Sequence, residues 1–167
     1  MADLTIALAG NPNAGKTTIF NALTGLHQHT GNWPGKTVEK KEGEIQHGHL
    51  KINIVDLPGT YSLTAYSPEE IIARDFIIEE HPDVVINVVD ATNLERNLYL
   101  TVQILELNVP VVLALNMADD LQKNGAKINL DQLSQLLGNI PVISTTANQG
   151  KGISDLISKA VRAAGKN

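Results

Sequence analysis

The chain of 167 residues is 43% hydrophobic and 19% charged, enough apolar material for one well-buried core and too little for two. Its net charge of −5 gives no general attraction to nucleic acid or anionic lipid, so a bound polyanion needs a local, preorganised site. The absence of cysteine excludes disulfides and thiolate metal sites.

The amino terminus, MADLTIALAG, carries no basic leader region and runs directly into a strand pattern over residues 4–9. Gly10-Asn11-Pro12-Asn13-Ala14-Gly15-Lys16-Thr17 follows it, fits G-x-x-x-x-G-K-[ST], and leads into a helix predicted over residues 16–23, which includes Thr18. Glycines let successive backbone N–H groups curl inward as an anion nest, and the helix start adds its positive dipole end. Lys16 supplies an ammonium for β- and γ-phosphates, and the Thr17 hydroxyl is a ligand for Mg²⁺.

Residues 25–36, GLHQHTGNWPGK, are rich in Gly, Asn and Pro and read as a loop. Trp33, the only tryptophan, reads as exposed in it. Residues 37–46 and 51–56 form a predicted antiparallel pair around a turn at 47–49. His47 and His49 on that hairpin, and His27 and His29 in the loop, lack a third ligand and read as solvated turn residues. Lys40 and Lys41 read as an outer strand face.

Asp56-Leu57-Pro58-Gly59 ends the strand over 51–56. Its carboxylate can hold magnesium through a water, and the Gly59 amide can close on a γ-phosphate. Ser67-Pro68-Glu69-Glu70 is a capping box with proline at the first helical position, opening a helix to residue 80. A buried strand over 84–90, a helix over 94–107 and a strand over 111–116 come next. Arg74 and Arg96 fall on helices and read as surface packing.

Asn116-Met117-Ala118-Asp119 follows the strand over 111–116. The Asp119 carboxylate can accept from N1–H and the exocyclic amine of guanine. Adenine offers a lone pair at N1 and no C2 amine, leaving the carboxylate unpaired at a cost of a few kcal/mol. A helix over 130–137 stopped by Gly138, a strand over 142–144 and a helix over 153–164 complete the chain. Ser144-Thr145-Thr146-Ala147 leaves the last strand, where Thr146-Ala147 can present a backbone amide to guanine O6.

Strands alternating with crossover helices predict an α/β fold with six strands in a mostly parallel sheet, one antiparallel edge strand and helices on both faces. Ligands of such sheets sit beyond the carboxyl ends of the strands, and all four loops named above fall there. Apolar runs such as 84–89 and 109–115 are far shorter than the roughly 18 residues of a membrane span, so the chain reads as soluble and cytosolic.

In this order, the four loops resemble the G1, G3, G4 and G5 motifs of the P-loop small-GTPase fold, over essentially the whole chain. More narrowly, GNPNAGKTT, GNWPGKTVE, DLPGTYSL, INVVDATNLERNLYL and LALNM resemble the cytosolic G domain of the FeoB family of ferrous-iron transport proteins, among the TrmE-Era-like GTPases. The resemblance implies one GTP-binding domain over residues 1–167, with switch I at 25–37 and switch II at 59–67. It implies that Gly35, Lys36 and Thr37 reach the nucleotide, with Thr37 closing on Mg²⁺ alongside Thr17 and the water-linked Asp56. It implies a K⁺ held by the Asn13 side chain and the carbonyls of Gly31 and Trp33. Catalysis then falls to Lys16, Asn13, Thr37 and Gly59.

The same resemblance implies a partner covalently attached: a transmembrane Fe²⁺ permease, joined through a helical spacer at the cytoplasmic face of the cell membrane. The chain then reads as an excised amino-terminal domain, with nucleotide-dependent self-association expected and no nucleic acid partner. Two positions depart from common GTPase patterns. Thr60 stands where many carry a water-orienting glutamine, and Met117 where a lysine is usual, which predicts slow hydrolysis, micromolar affinity and fast GDP release. An Era-like ribosome- or RNA-associated GTPase is the alternative, and a pure nucleotide-gated docking module the third reading.

Overall fold

The computed structural model describes residues 2–166. Seven strands, β1 (Leu4–Gly10), β2 (Gln28–Asn32), β3 (Glu39–His47), β4 (Leu50–Asp56), β5 (Val84–Asp90), β6 (Val111–Asn116) and β7 (Val142–Ser144), form one sheet in the order β2-β3-β4-β1-β5-β6-β7. The helices are α1 (Lys16–Thr24), α2 (Pro68–Glu80), α3 (Leu94–Leu105), α4 (Ala118–Lys123), α5 (Leu130–Leu136) and α6 (Ile153–Ala163). Strand β1 pairs in parallel with β4 and β5, and β5, β6 and β7 continue in parallel.

The sheet has one strand more than the sequence predicts. Residues 28–32 pair antiparallel with β3, from Gln28 opposite Gly43 to Asn32 opposite Glu39. Q-H-T-G-N has no apolar alternation, and its side chains are mostly exposed. Backbone ladder bonds with a neighbour hold this strand, and they leave no mark on side-chain patterning. Consequently the antiparallel part is β2-β3-β4, and β3 begins at Glu39 rather than Thr37.

Central strands read as unbroken apolar runs because both faces are covered. Leu4, Ile6 and Leu8 of β1 point into one core with Ile19 and Phe20 of α1 and Leu156 and Ala160 of α6. Ala7 and Ala9 point into the other, against Ile72 and Ile77 of α2 and Leu100 and Ile104 of α3. Helix α2 starts as the capping box predicts, with Ser67 Oγ accepting from Glu70 N at 3.1 Å. The Glu70 carboxylate, however, turns to Ser62 and Thr64 instead of closing the box.

A candidate guanine-nucleotide site

Strand β1 delivers the chain to a curled segment in which Asn13 (φ 68°) and Gly15 (φ 97°) take left-handed conformations before α1 begins at Lys16. Gly15 is needed twice over. A side chain is strained at that φ, and an added Cβ would land on the Asn116 amide nitrogen. The curl lines a cavity of ≈ 550 Å³ with Asn11, Pro12, Asn13, Lys16, Thr17, Thr18 and Gly59. Beside it, a second cavity of ≈ 130 Å³ is lined by Asn116, Met117, Asp119, Asp120, Thr146, Ala147 and Asn148. Gly15, Thr18 and Met117 border both, so the two form one groove, with the curl as the candidate phosphate end and Asp119 at the candidate base end.

Asn116 ties three loops together. Its Nδ2 donates to the Ala14 carbonyl at 3.0 Å, while its Oδ1 accepts from Thr145 Oγ1 at 3.0 Å and from Ala147 N at 3.1 Å. The side chain is 3% exposed, where hydrogen bonds are fully felt. Sequence reasoning placed Asn116 at the site without this role. It placed an amide at Thr146-Ala147 for guanine O6, and here the Ala147 amide is engaged by Asn116. Thr145 also accepts from Ala118 N at 3.2 Å, and Met117 (φ 63°) makes the turn that sets Asp119 on the base cavity. Gln149 Nε2 lies 3.5 Å from Asp119 Oδ2, and Ser144 is exposed at the end of β7.

At the phosphate end, the Lys16 ammonium and the Asp56 carboxylate form a buried ion pair. Burial pushes the Asp56 carboxyl above its usual range, and Lys16 beside it pulls the other way. Oxygen donors such as the partly desolvated Asp56 carboxylate and the exposed Thr17 hydroxyl are of the kind a hard, oxygen-seeking cation takes. Among the described residues no three His, Cys, Asp or Glu side chains gather as a metal site. Leu57 is buried and Pro58 half-buried behind this carboxylate. The chain after Asp56 is stitched back to β1 by Leu57 N to the Leu8 carbonyl at 3.0 Å and Thr60 N to the Gly10 carbonyl at 3.1 Å.

The remaining predicted residues lie apart. Gly31 is in β2 opposite Lys40, and Gly35, Lys36 and Thr37 are exposed in the turn before β3. The Trp33 carbonyl accepts from Lys36 N at 2.9 Å. None of these borders the groove. Trp33 is not exposed as predicted but 7% accessible, packed edge-on to Phe76 of α2 at 5.7 Å with Lys40 Nζ over its ring at 4.8 Å. Neither Gly31 nor Trp33, the carbonyls expected to join Asn13 around K⁺, borders the cavity that Asn13 lines.

Residues 90–97 form a polar knot that the sequence left unexplained. Asp90 caps the turn to α3, accepting from Thr92 N at 2.8 Å and Asn93 Nδ2 at 3.1 Å, and Asn97 Oδ1 accepts from Asp90 N at 3.1 Å. Asn87, a polar residue inside an apolar strand run, donates to the Ala9 carbonyl at 3.2 Å and accepts from Thr101. That interruption is a signal the sequence does carry. Asn11 is buried among these groups, and neither atom of its amide has a hydrogen-bond partner.

A family model described as "Ferrous iron transport protein B" matches residues 4–160. The chain belongs to this family. The Fe(2+) transporter FeoB of Escherichia coli strain K12 is 52% identical over 160 residues, covering 93% of this chain and 21% of that protein. A fusion protein of Fe(2+) transport protein A and FeoB from Porphyromonas gingivalis is 52% identical over 159 residues, 95% of this chain and 19% of the relative. The FeoB G domain from Methanococcus jannaschii superposes with TM-score 0.88 at 49% identity, covering 99% of this chain and 100% of that one. The cytosolic domain of the T. maritima FeoB iron transporter in a GDP form gives TM-score 0.94 at 48% identity, covering 98% of this chain and 64% of that one.

Family membership sets the Era-like alternative aside. The chain spans about a fifth of the two curated relatives' length. Among the described residues, no helix is long and apolar enough to cross a membrane.

Proposed function

We propose that this chain binds GTP with Mg²⁺, hydrolyses it slowly, and by doing so regulates Fe²⁺ uptake through a membrane permease joined to it by a helical spacer. The domain then works at the cytoplasmic face of the cell membrane. The observation that carries this reading is the continuous groove in which Asn116 locks the phosphate curl to the two base loops. A cytosolic domain of the same family in GDP form supports a guanine nucleotide as its occupant.

In this reading the amides of the curl and the start of α1 take up the phosphates, and Lys16 leaves Asp56 for the β- and γ-phosphate oxygens. Thr17, and Asp56 through a water, are the residues that hold the magnesium; the ion neutralises charge building on the phosphates. Gly59 bounds the γ-phosphate side of the cavity. Asp119 selects guanine. Residues 25–37 and 59–67 are the two switches, and Thr37 moves in from its exposed turn when GTP binds. Self-association that follows the nucleotide state belongs to the same reading.

Water attacks in line, with no side-chain amide at Thr60 to orient it, so turnover is slow without activation. Met117 gives no ammonium to the base edge, so GDP is held at micromolar strength and leaves quickly. K⁺ stimulation through Asn13 requires residues 31–33 to leave their present pairing. Measuring hydrolysis with Mg²⁺ in matched K⁺ and Na⁺ buffers tests both points. Slow GTP turnover, faster in K⁺, is expected; no turnover refutes the enzyme, and equal rates refute the potassium role. A nanomolar Kd for GDP contradicts the Met117 argument.

A further inference from the structure

The segment after Gly59 is fastened from two helices. Leu63 N donates to Gln103 Oε1 at 2.6 Å, and the Arg96 guanidinium lies over the Tyr61 ring at 4.4 Å. Arg96 and Gln103 are seven positions apart on α3 and therefore share one face of the helix. From the opposite side, the α2 residue Glu70 accepts from Ser62 Oγ at 2.6 Å and Thr64 Oγ1 at 2.8 Å. The fastened stretch continues from the wall of the phosphate cavity. Gly59 packs so closely on Pro12 that an added Cβ would lie 3.3 Å from its Cα, and Thr60 N bonds the Gly10 carbonyl.

Helix α3 is itself held rigidly at this end. The knot of Asp90, Asn93 and Asn97 fixes its start, and Asn87 bonds Thr101 one turn further on. A small polar cavity between α3 and the curl is bordered by Asn11, Asn13, Tyr61, Asp90, Asn93 and Arg96. Helix, curl and segment thus meet at one point.

We propose that α3 is the seat of residues 60–64, and that Arg96 and Gln103 are positioning residues for hydrolysis that keep Gly59 against Pro12 at the phosphate wall. This rests on the GTPase reading above and gives the stretch DATNLERNLYLTVQ a task within it. Neither side chain touches the nucleotide groove; each acts through the backbone it holds. Because Thr60 brings no amide to the water, placement of the backbone around Gly59 is what remains for this segment to contribute, and looser placement slows the reaction.

The test is single-turnover GTP cleavage by the 167-residue chain at saturating nucleotide, with GDP affinity and Tm measured alongside. Gln103→Leu removes the acceptor and Arg96→Ala the stacked cation. Each should lower the cleavage rate about fivefold to tenfold, the scale of one lost hydrogen bond or cation–π contact, and leave GDP affinity within about twofold, since P-loop and base contacts are untouched. Gln103→Glu, which keeps an acceptor oxygen, and Arg96→Lys, which keeps a cation, should restore most of the rate.

Unchanged or faster cleavage in both truncated variants overturns the proposal. So does a parallel fall in cleavage and GDP affinity, which marks general loosening of the fold. Absence of cleavage in the wild-type chain sinks the GTPase reading and this one with it; wild-type cleavage with indifferent variants sinks this one alone.

Discussion

Asn116, at the end of β6 on the groove, and Trp33, just after β2 and away from it, are both buried, at 3% and 7% exposure, but they are held differently. Both amide atoms of Asn116 are bonded, to Ala14, Thr145 and Ala147. Trp33 is held by the Phe76 edge and the Lys40 cation, and its Nε1 has no partner. Moving Asn116 strands several buried polar groups at once, which is expensive. Moving the Trp33 indole gives up contact area and no side-chain hydrogen bond. Asn116 is thus the tighter fastening and the Trp33 indole the looser; on the function proposed above, the first serves a fixed template at the base end and the second a segment, residues 25–37, that changes place.

The comparison breaks most visibly at Asn116. Asn116→Ala leaves the Ala14 carbonyl, the Thr145 hydroxyl and the Ala147 amide without their partner, and should weaken GDP binding by about 100-fold or more. Calorimetric titration of the purified variant measures this, and a loss below about tenfold would contradict the template role.

Asp119→Ala should come next. It removes a charge-assisted acceptor from the base cavity and should cost about 30-fold in GDP affinity, with ADP affinity unmoved. Competition between the two nucleotides for the same variant reads the lost preference directly.

Trp33→Ala sharpens the other side. Removing a buried indole should lower stability by about 3 kcal/mol, measured by denaturant unfolding, while GDP affinity stays close to wild type. A drop in GDP affinity as large as that of Asn116→Ala would erase the distinction drawn here.

The smallest effect is expected at Glu70. Bonds from Ser62 and Thr64 hold its carboxyl below the ordinary glutamate range. A lowered folded pKa contributes stability that is full above the unfolded glutamate range and lost as pH falls through the lowered folded value. Protection of the amides at residues 62–64, taken relative to intrinsic exchange at each pH, should therefore fall on acidification, and Glu70→Gln should flatten the dependence. Protection that stays constant into the acid range would remove Glu70 from the fastening.

How far the sequence disclosed this arrangement differs along the same line. The curl over residues 10–17, the Asp56 turn and the Asp119 turn were legible because each uses residue types whose chemistry is local: glycine at a left-handed turn, lysine and threonine at a helix start, a carboxylate after a strand. Strand β2 was not legible, since its ladder to β3 is a backbone property of a polar segment. Nor was the burial of Trp33, which depends on Phe76 more than forty residues away. Asn116 was found by motif but its three bonds were not, because its partners at Ala14 and Ala147 are distant in the chain. The contacts of Arg96 and Gln103 were missed for the same reason: helical spacing says which residues share a face, and not what that face meets.

The most direct test of the central claim is equilibrium binding of guanine and adenine nucleotides to the wild-type chain with magnesium. The groove, with Asp119 at its base end and Lys16 at its phosphate end, predicts saturable micromolar binding of GDP and GTP and no comparable binding of ADP or ATP. Equal affinity for the adenine nucleotides, or failure to hold either kind, would contradict it.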